Sequence, residues 1–147
     1  MRVLLILILV AGTVCLAEAE TDATASAVSA DPPVEKTGAE DGIRIQKMVF
    51  CTGVKDRQPV GADTVFSNTV ERIYCLTRVV GAKDTTSVTH VWYRGDKEMA
   101  RVKLPVKSAS WRTWSSKRIW EKWTGKWRVD VVGEGGEVVG SRGFVVR

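Results

Sequence analysis

Transition-metal ligands are scarce in this chain of 147 residues. It has one histidine, His90, and three cysteines, Cys15, Cys51 and Cys75. A zinc site takes three or four ligands, usually from closely spaced pairs. No C-x-x-C or H-x-x-E-H pair occurs, so neither a metal nor a cofactor is expected. No G-x-x-x-x-G-K-[ST] loop is present to cradle a phosphate. No G-x-S-x-G elbow presents a nucleophile. His90 has Ser115 and Ser116 as conceivable nucleophiles and Asp130 or Asp96 as conceivable orienting acids, yet no spacing selects such a triad, and a packed or hydrogen-bonded place on its strand is the reading favoured for it. The acids beyond residue 42 are scattered, mostly beside turns, which argues against a paired-carboxylate glycosidase. The expectation is a protein that is not an enzyme, with a small hydrolase as the distant alternative.

Long apolar runs are also few. The one that stands out is Val3 to Leu16, preceded by Arg2 and followed by Ala17-Glu18-Ala19. Its length suits a signal-peptide core and falls short of the roughly 20 residues of a spanning helix. Cleavage is expected after Ala19, making residues 1–19 a signal peptide; an uncleaved anchor is the alternative. Val14 before Cys15 fits a lipoprotein site poorly, so Cys15 belongs to the discarded segment. The mature chain then carries no membrane span and is exported, periplasmic or extracellular. Cys51 and Cys75 remain, and an even pair in an oxidising compartment suggests a disulfide. The alternative is two buried free thiols acting as small hydrophobes.

Residues 20–42 lack large apolar side chains and are rich in Ala, Ser, Thr and acids, with Pro32-Pro33. Such a segment cannot bury enough surface to offset its ordering entropy and is read as a disordered linker. Six acids there face the single base Lys36, a net of −5; because the whole chain is +5, residues 42–147 carry +10. A basic domain outside the cytoplasm suits an anionic envelope partner, a glycan or a protein, rather than nucleic acid.

Residues 43–147 make one domain of ordinary size. Period-two alternation marks about seven strands. They cover 43–54, 70–80, 88–94, 99–106, 109–117, 126–132 and 137–146. Ile43, Ile45, Val49 and Cys51 should share one face of the first. Ile73, Cys75, Thr77 and Val79 share one face of the second, and Ala100, Val102, Leu104 and Val106 one face of the fourth. Glu134-Gly135-Gly136-Glu137 signals a tight turn, and a bend or bulge is expected at Gly140 or Gly143. Only residues 117–124 hint at a helical turn. The fold class is therefore all-β, an immunoglobulin-like antiparallel β-sandwich behind the signal peptide and linker.

Several segments carry a resemblance in order. They are Asp56-Arg57-Gln58-Pro59, Val70 to Val79, His90-x-Trp92-Tyr93, Val102-Lys103-Leu104, Trp111 to Lys117, Gly125 to Val129 and Phe144-Val145-Val146. Together they resemble the bacterial domain of unknown function 2914 from Ile43 to Val146. The resemblance implies a small β-rich module, often at the end of exported or membrane-anchored proteins, with no established activity. In immunoglobulin lettering Cys75 and Trp92 fall on strands B and C, and a Cys51–Cys75 bridge would join strands A and B.

All six tryptophans lie between residues 92 and 127. Trp92 and Trp127 alternate with core positions and should fill the core. Trp111 and Trp114 have opposite parity, so one of them faces outward unless a bulge intervenes. Arg112, Lys117 and one of Trp111 or Trp114, with His90 near the edge, make the candidate recognition patch. A guanidinium fork suits carboxylate or phosphate, and an indole suits a sugar or an apolar side chain. The expected function is a non-catalytic module binding a cell-envelope component. The alternative is an accessory subunit whose aromatic block docks on a protein.

Overall fold

The computed structural model of the chain describes residues 42–147. The expected signal peptide, and the expected linker up to residue 41, lie outside the described residues. The strands are β1 (Arg44–Lys55), β2 (Gln58–Ala62), β3 (Val65–Phe66), β4 (Arg72–Val80), β5 (Thr86–Arg94), β6 (Lys97–Val106), β7 (Ser110–Arg118), β8 (Gly125–Val132) and β9 (Val138–Val146). They form a four-stranded sheet, β2-β1-β4-β7, and a five-stranded sheet, β3-β9-β8-β5-β6. Every pairing is antiparallel except β3 with β9. In immunoglobulin lettering β1, β4 and β7 stand as A, B and E, facing β9, β8 and β5 as G, F and C. Among the described residues there is no helix, and so none long and apolar enough to cross a membrane. Residues 117–124 run from the end of β7 into a tight turn.

The sheets meet through aromatic rings. Phe50 on β1 lies 4.5 Å from Phe144 on β9 and 6.5 Å from Trp92 on β5, centroid to centroid. Trp127 stacks on Phe144 at 5.9 Å with an interplanar angle of 18°. Trp92 and Trp127 are both buried, as their alternation with Val129 and Val131 predicts. Ile73, Cys75, Thr77 and Val79 on β4 are all fully buried. Opposite them, Gly140 brings its backbone close to β1. A Cβ there would lie 2.7 Å from Ile45 Cγ1, so only glycine fits without displacing Ile45. The ladder of β8 and β9 is irregular between Val131 and Val132, beside Gly140, where a bulge was expected.

Strand β1 departs from the simple alternation. Its register on β4 shifts between Ile45 and Lys47. A bulge adds one residue to one strand and exchanges the faces of everything beyond it. Met48 and Phe50 therefore turn into the core, and Val49 and Cys51 turn out. The register places Phe50 opposite Cys75 and Cys51 opposite Tyr74. The two thiols thus leave opposite faces of the sheet. The expected Cys51–Cys75 disulfide is absent: both cysteines are free and buried. Side chains pointing apart cannot be bridged without backbone movement. Burial pushes the Cys75 thiol well up. It raises Cys51 too, partly offset by backbone N–H groups of Val60 and Gly53.

Two elements are additional to the seven expected, β2 and β3. After Cys51, strand β1 leaves β4 and pairs only with β2. The turn between them holds Asp56 and Arg57 at φ of 50° and 60°, the left-handed pair that a two-residue hairpin needs. Leu76 shares the outer face with Val49 and Trp114, yet only 3% of it is exposed. Arg57, at the hairpin tip, reaches Trp111 on β7. The hairpin thus curls over the outer face of its own sheet, covering Cys51 and Leu76.

Candidate functional site

His90 lies in the core. It shares its strand face with Trp92, two residues on, and has no exposed surface. Its Nδ1 is 2.8 Å from Ser115 Oγ and its Nε2 is 3.1 Å from Thr77 Oγ1. Trp92 Nε1 donates to Ser115 Oγ at 3.0 Å, and Thr77 Oγ1 donates to the Thr113 carbonyl at 3.4 Å. Desolvation pushes the imidazole pKa down to about 4, so the ring is neutral. One proton arrangement then satisfies every group. Trp92 donates to Ser115, Ser115 to Nδ1, Nε2–H to Thr77, and Thr77 to the carbonyl. Ser115 is itself buried. Ser116 points outward and accepts from Arg72 Nη1 at 2.9 Å. Asp130 accepts from Ser141 and pairs with Arg128, and Asp96 lies in the exposed β5–β6 turn. Neither acid orients the imidazole. Of the two places expected for His90, the packed, hydrogen-bonded one is observed and the edge of a surface patch is corrected: its parity with Trp92 carries it inward, into a chain that ties β5 to β4 and β7.

Strand β7 presents two faces. Ser115 and Thr113 point in; Arg112, Trp114 and Ser116 point out. Trp111 has the inward parity and packs half-buried at the margin of the core, whereas Trp114 is 37% exposed. The opposite parity expected of these two tryptophans is observed. Arg112 lies directly across the ladder from Arg78. Like charges so placed destabilise a sheet by up to about 1 kcal/mol. Arg57 comes over the edge of the pair, its guanidinium carbon 4.9 Å from the Trp111 ring centroid. Arg78 turns Nε and Nη2 toward Ser110 Oγ, each at 3.2 Å.

Between the hairpin tip and β7 these side chains frame two adjoining depressions of about 360 and 230 Å³. Both are lined by Arg57, Trp111 and Arg112. Arg78, Ser108 and Ser110 complete the first, and Lys107 and Trp114 border the second. No aspartate or glutamate lines either. The asymmetry extends to the whole sheet. Strands β1, β2, β4 and β7 carry eight lysines and arginines and no acid. The two salt bridges among the described residues, Arg101–Glu98 and Arg128–Asp130, lie on the other sheet. Guanidinium forks gathered without a counter-charge, beside an indole face, are suited to a carboxylate, phosphate or sulfate oxygen.

Of the expected patch, the structure brings together Arg112, Trp111 and Trp114. Lys117 lies at the far end of β7, with Nζ 5.4 Å from the Trp123 ring centroid. Sequence reading missed Arg57 and Arg78. Arg78 becomes visible only once β4 is registered against β7, and Arg57 only once the hairpin is seen to curl.

No curated protein matches the chain. A family model described as "Protein of unknown function (DUF2914)" matches residues 85–146, the span of β5 to β9. Arg112 and Trp111 fall inside the match, and Arg57 and Arg78 precede it. Over residues 85–146, less than half of its length, the chain is similar to the DUF2914 family.

Proposed function

We propose that this protein is a non-catalytic recognition module that binds an anionic component of the cell envelope through the groove of Arg57, Arg78, Arg112 and Trp111. One observation carries the reading: three arginines converge on an indole with no acid in the lining. Arginine forks cost a sheet stability when placed opposite one another, and local rules are broken most often where a site requires it. The +10 charge of residues 42–147 draws an anion toward the groove. Export past a signal peptide would place that groove among acidic glycans and proteins.

The experiment is capture from native envelope by full-length protein, compared with the Arg78→Ala/Arg112→Ala variant. Wild type should retain an anionic partner, and retention should weaken with salt, because exposed charges are screened within about 10 Å at 0.1 M. The variant should lose the partner without melting at a lower temperature than wild type, since both side chains lie on the outer face and their mutual repulsion is removed. Equal capture by the variant would move the site elsewhere.

A further inference from the structure

At the opposite end of β7 the chain builds a second recess. Trp120 is 55% exposed, more than any other large apolar side chain among the described residues. It is not loosely held. Trp123 N–H donates to the Trp120 carbonyl at 2.7 Å, closing a four-residue turn. The two indoles then stand 6.3 Å apart at 79°, a right-angled corner. Trp127 Nε1 donates to the Trp123 carbonyl at 3.0 Å, and Asn68 Nδ2 to the Glu121 carbonyl at 3.2 Å. Trp123 packs on Trp127, which stacks on Phe144. The corner therefore stands on an aromatic column rooted in the core, so a ligand there meets a preorganised surface. A recess of about 450 Å³ lies among Trp120, Glu121, Lys122 and Trp123. Another, of about 390 Å³, adjoins it toward Arg118, Asn68 and Glu71.

Charge selects the occupant. Lys117 sits 5.4 Å from the Trp123 centroid and Arg118 5.3 Å from the Trp120 centroid. The cation positions on both indoles are taken by the chain's own side chains, and Lys122 stands beside them. A cationic ligand is repelled there, although an aromatic corner otherwise suits one. Apolar ring surface ringed by a carboxylate, ammonium and guanidinium fits a group with C–H faces, hydroxyls and an anionic substituent. We infer that the Trp120–Trp123 corner binds a sugar residue of an acidic saccharide. The C–H face of the sugar lies against indole, its hydroxyls reach Glu121 and Lys122, and its carboxylate reaches Arg118 or Lys122. This site stands apart from the arginine groove and does not rest on it.

The test is calorimetric titration of the full chain, in detergent, with three acidic probes: oligogalacturonate, sialyllactose and an N-acetylmuramyl oligosaccharide. Maltotetraose is the neutral control. At least one acidic probe should bind, with maltotetraose about tenfold weaker or more. Trp120→Ala should weaken that probe by about tenfold, the loss expected of an exposed aromatic anchor. Lys122→Gln should weaken it less, and both variants should melt with wild type. Arg78→Ala/Arg112→Ala should leave this binding in place. If that groove variant loses it while Trp120→Ala keeps it, the corner is not the site and the groove stands. Maltotetraose binding as well as the acids, or no binding of any acidic probe, also overturns the inference.

Discussion

Acid should weaken this fold through one side chain. His90 is the sole histidine of the chain. In the folded state desolvation holds its pKa down to about 4, against 6.5 for a free imidazole. A depressed pKa means that the unfolded chain takes up the proton first as pH falls. The stability from a neutral His90 is thus complete above pH 6.5, declines as pH drops, and levels off below about pH 4. The slope approaches 1.36 kcal/mol per pH unit. Between pH 7 and pH 5 the loss is about 2 kcal/mol. No second imidazole shares this window. The cause is geometric as well. An imidazolium donates from both nitrogens, so Ser115 could no longer donate to Nδ1 and its proton would be stranded in the core. Urea titrations at pH 7 and pH 5 measure the effect, with His90→Gln as the reference. The variant should be less stable at pH 7 and should lose much less on acidification. Equal wild-type stability at the two pH values, or a ring C2 proton titrating near 6.5, would refute the reasoning.

Three further outcomes concern the core. Trp92→Ala should cost about 3–5 kcal/mol, since the ring is fully buried and its N–H satisfies Ser115, whereas Trp114→Ala should shift the melting midpoint little; equal effects would mean the faces of β5 and β7 are misassigned. Cys51 and Cys75 should resist a thiol reagent until the protein unfolds, and reductant should leave the melting temperature unchanged; an intact mass short of both thiol protons would contradict this. Gly140→Ala should destabilise by about 1–3 kcal/mol by pressing on Ile45 Cγ1, and should cost less in an Ile45→Ala background, where that atom is gone. Additive effects of the two substitutions would show that the contact does not matter.

The parts of the fold legible in the sequence are those where strict alternation holds. On β4, β6 and β8 the inward residues are the ones that period two selects. On β1 the same rule misplaced Val49 and Cys51, because a bulge beyond Ile45 leaves no mark in the pattern. That single shift is also why the cysteines do not meet. Strand β2, Gln-Pro-Val-Gly-Ala, holds residues that usually end strands. Strand β3 is two residues with a parallel partner, too short to carry a period. His90 was legible in principle, since it shares parity with Trp92. Thr77 and Ser115 supply the buried partners that let it go inward. Arg112 and Trp111 were legible as a basic aromatic pair, and the unreadable curl of β1 and β2 is what turned that pair into a groove.

The groove itself is tested most directly by observing its own protons. Arginine side-chain Nε–H and indole Nε1–H resonances, followed by NMR during addition of oligogalacturonate to the full chain carrying Trp120→Ala, report each residue separately. Saturable shifts at Arg57, Arg78, Arg112 and Trp111, with Arg94 and Arg101 on the other sheet unmoved, are the predicted result. Shifts spread evenly over the exposed arginines, or none at those four residues, would contradict the assignment of the groove as the binding site.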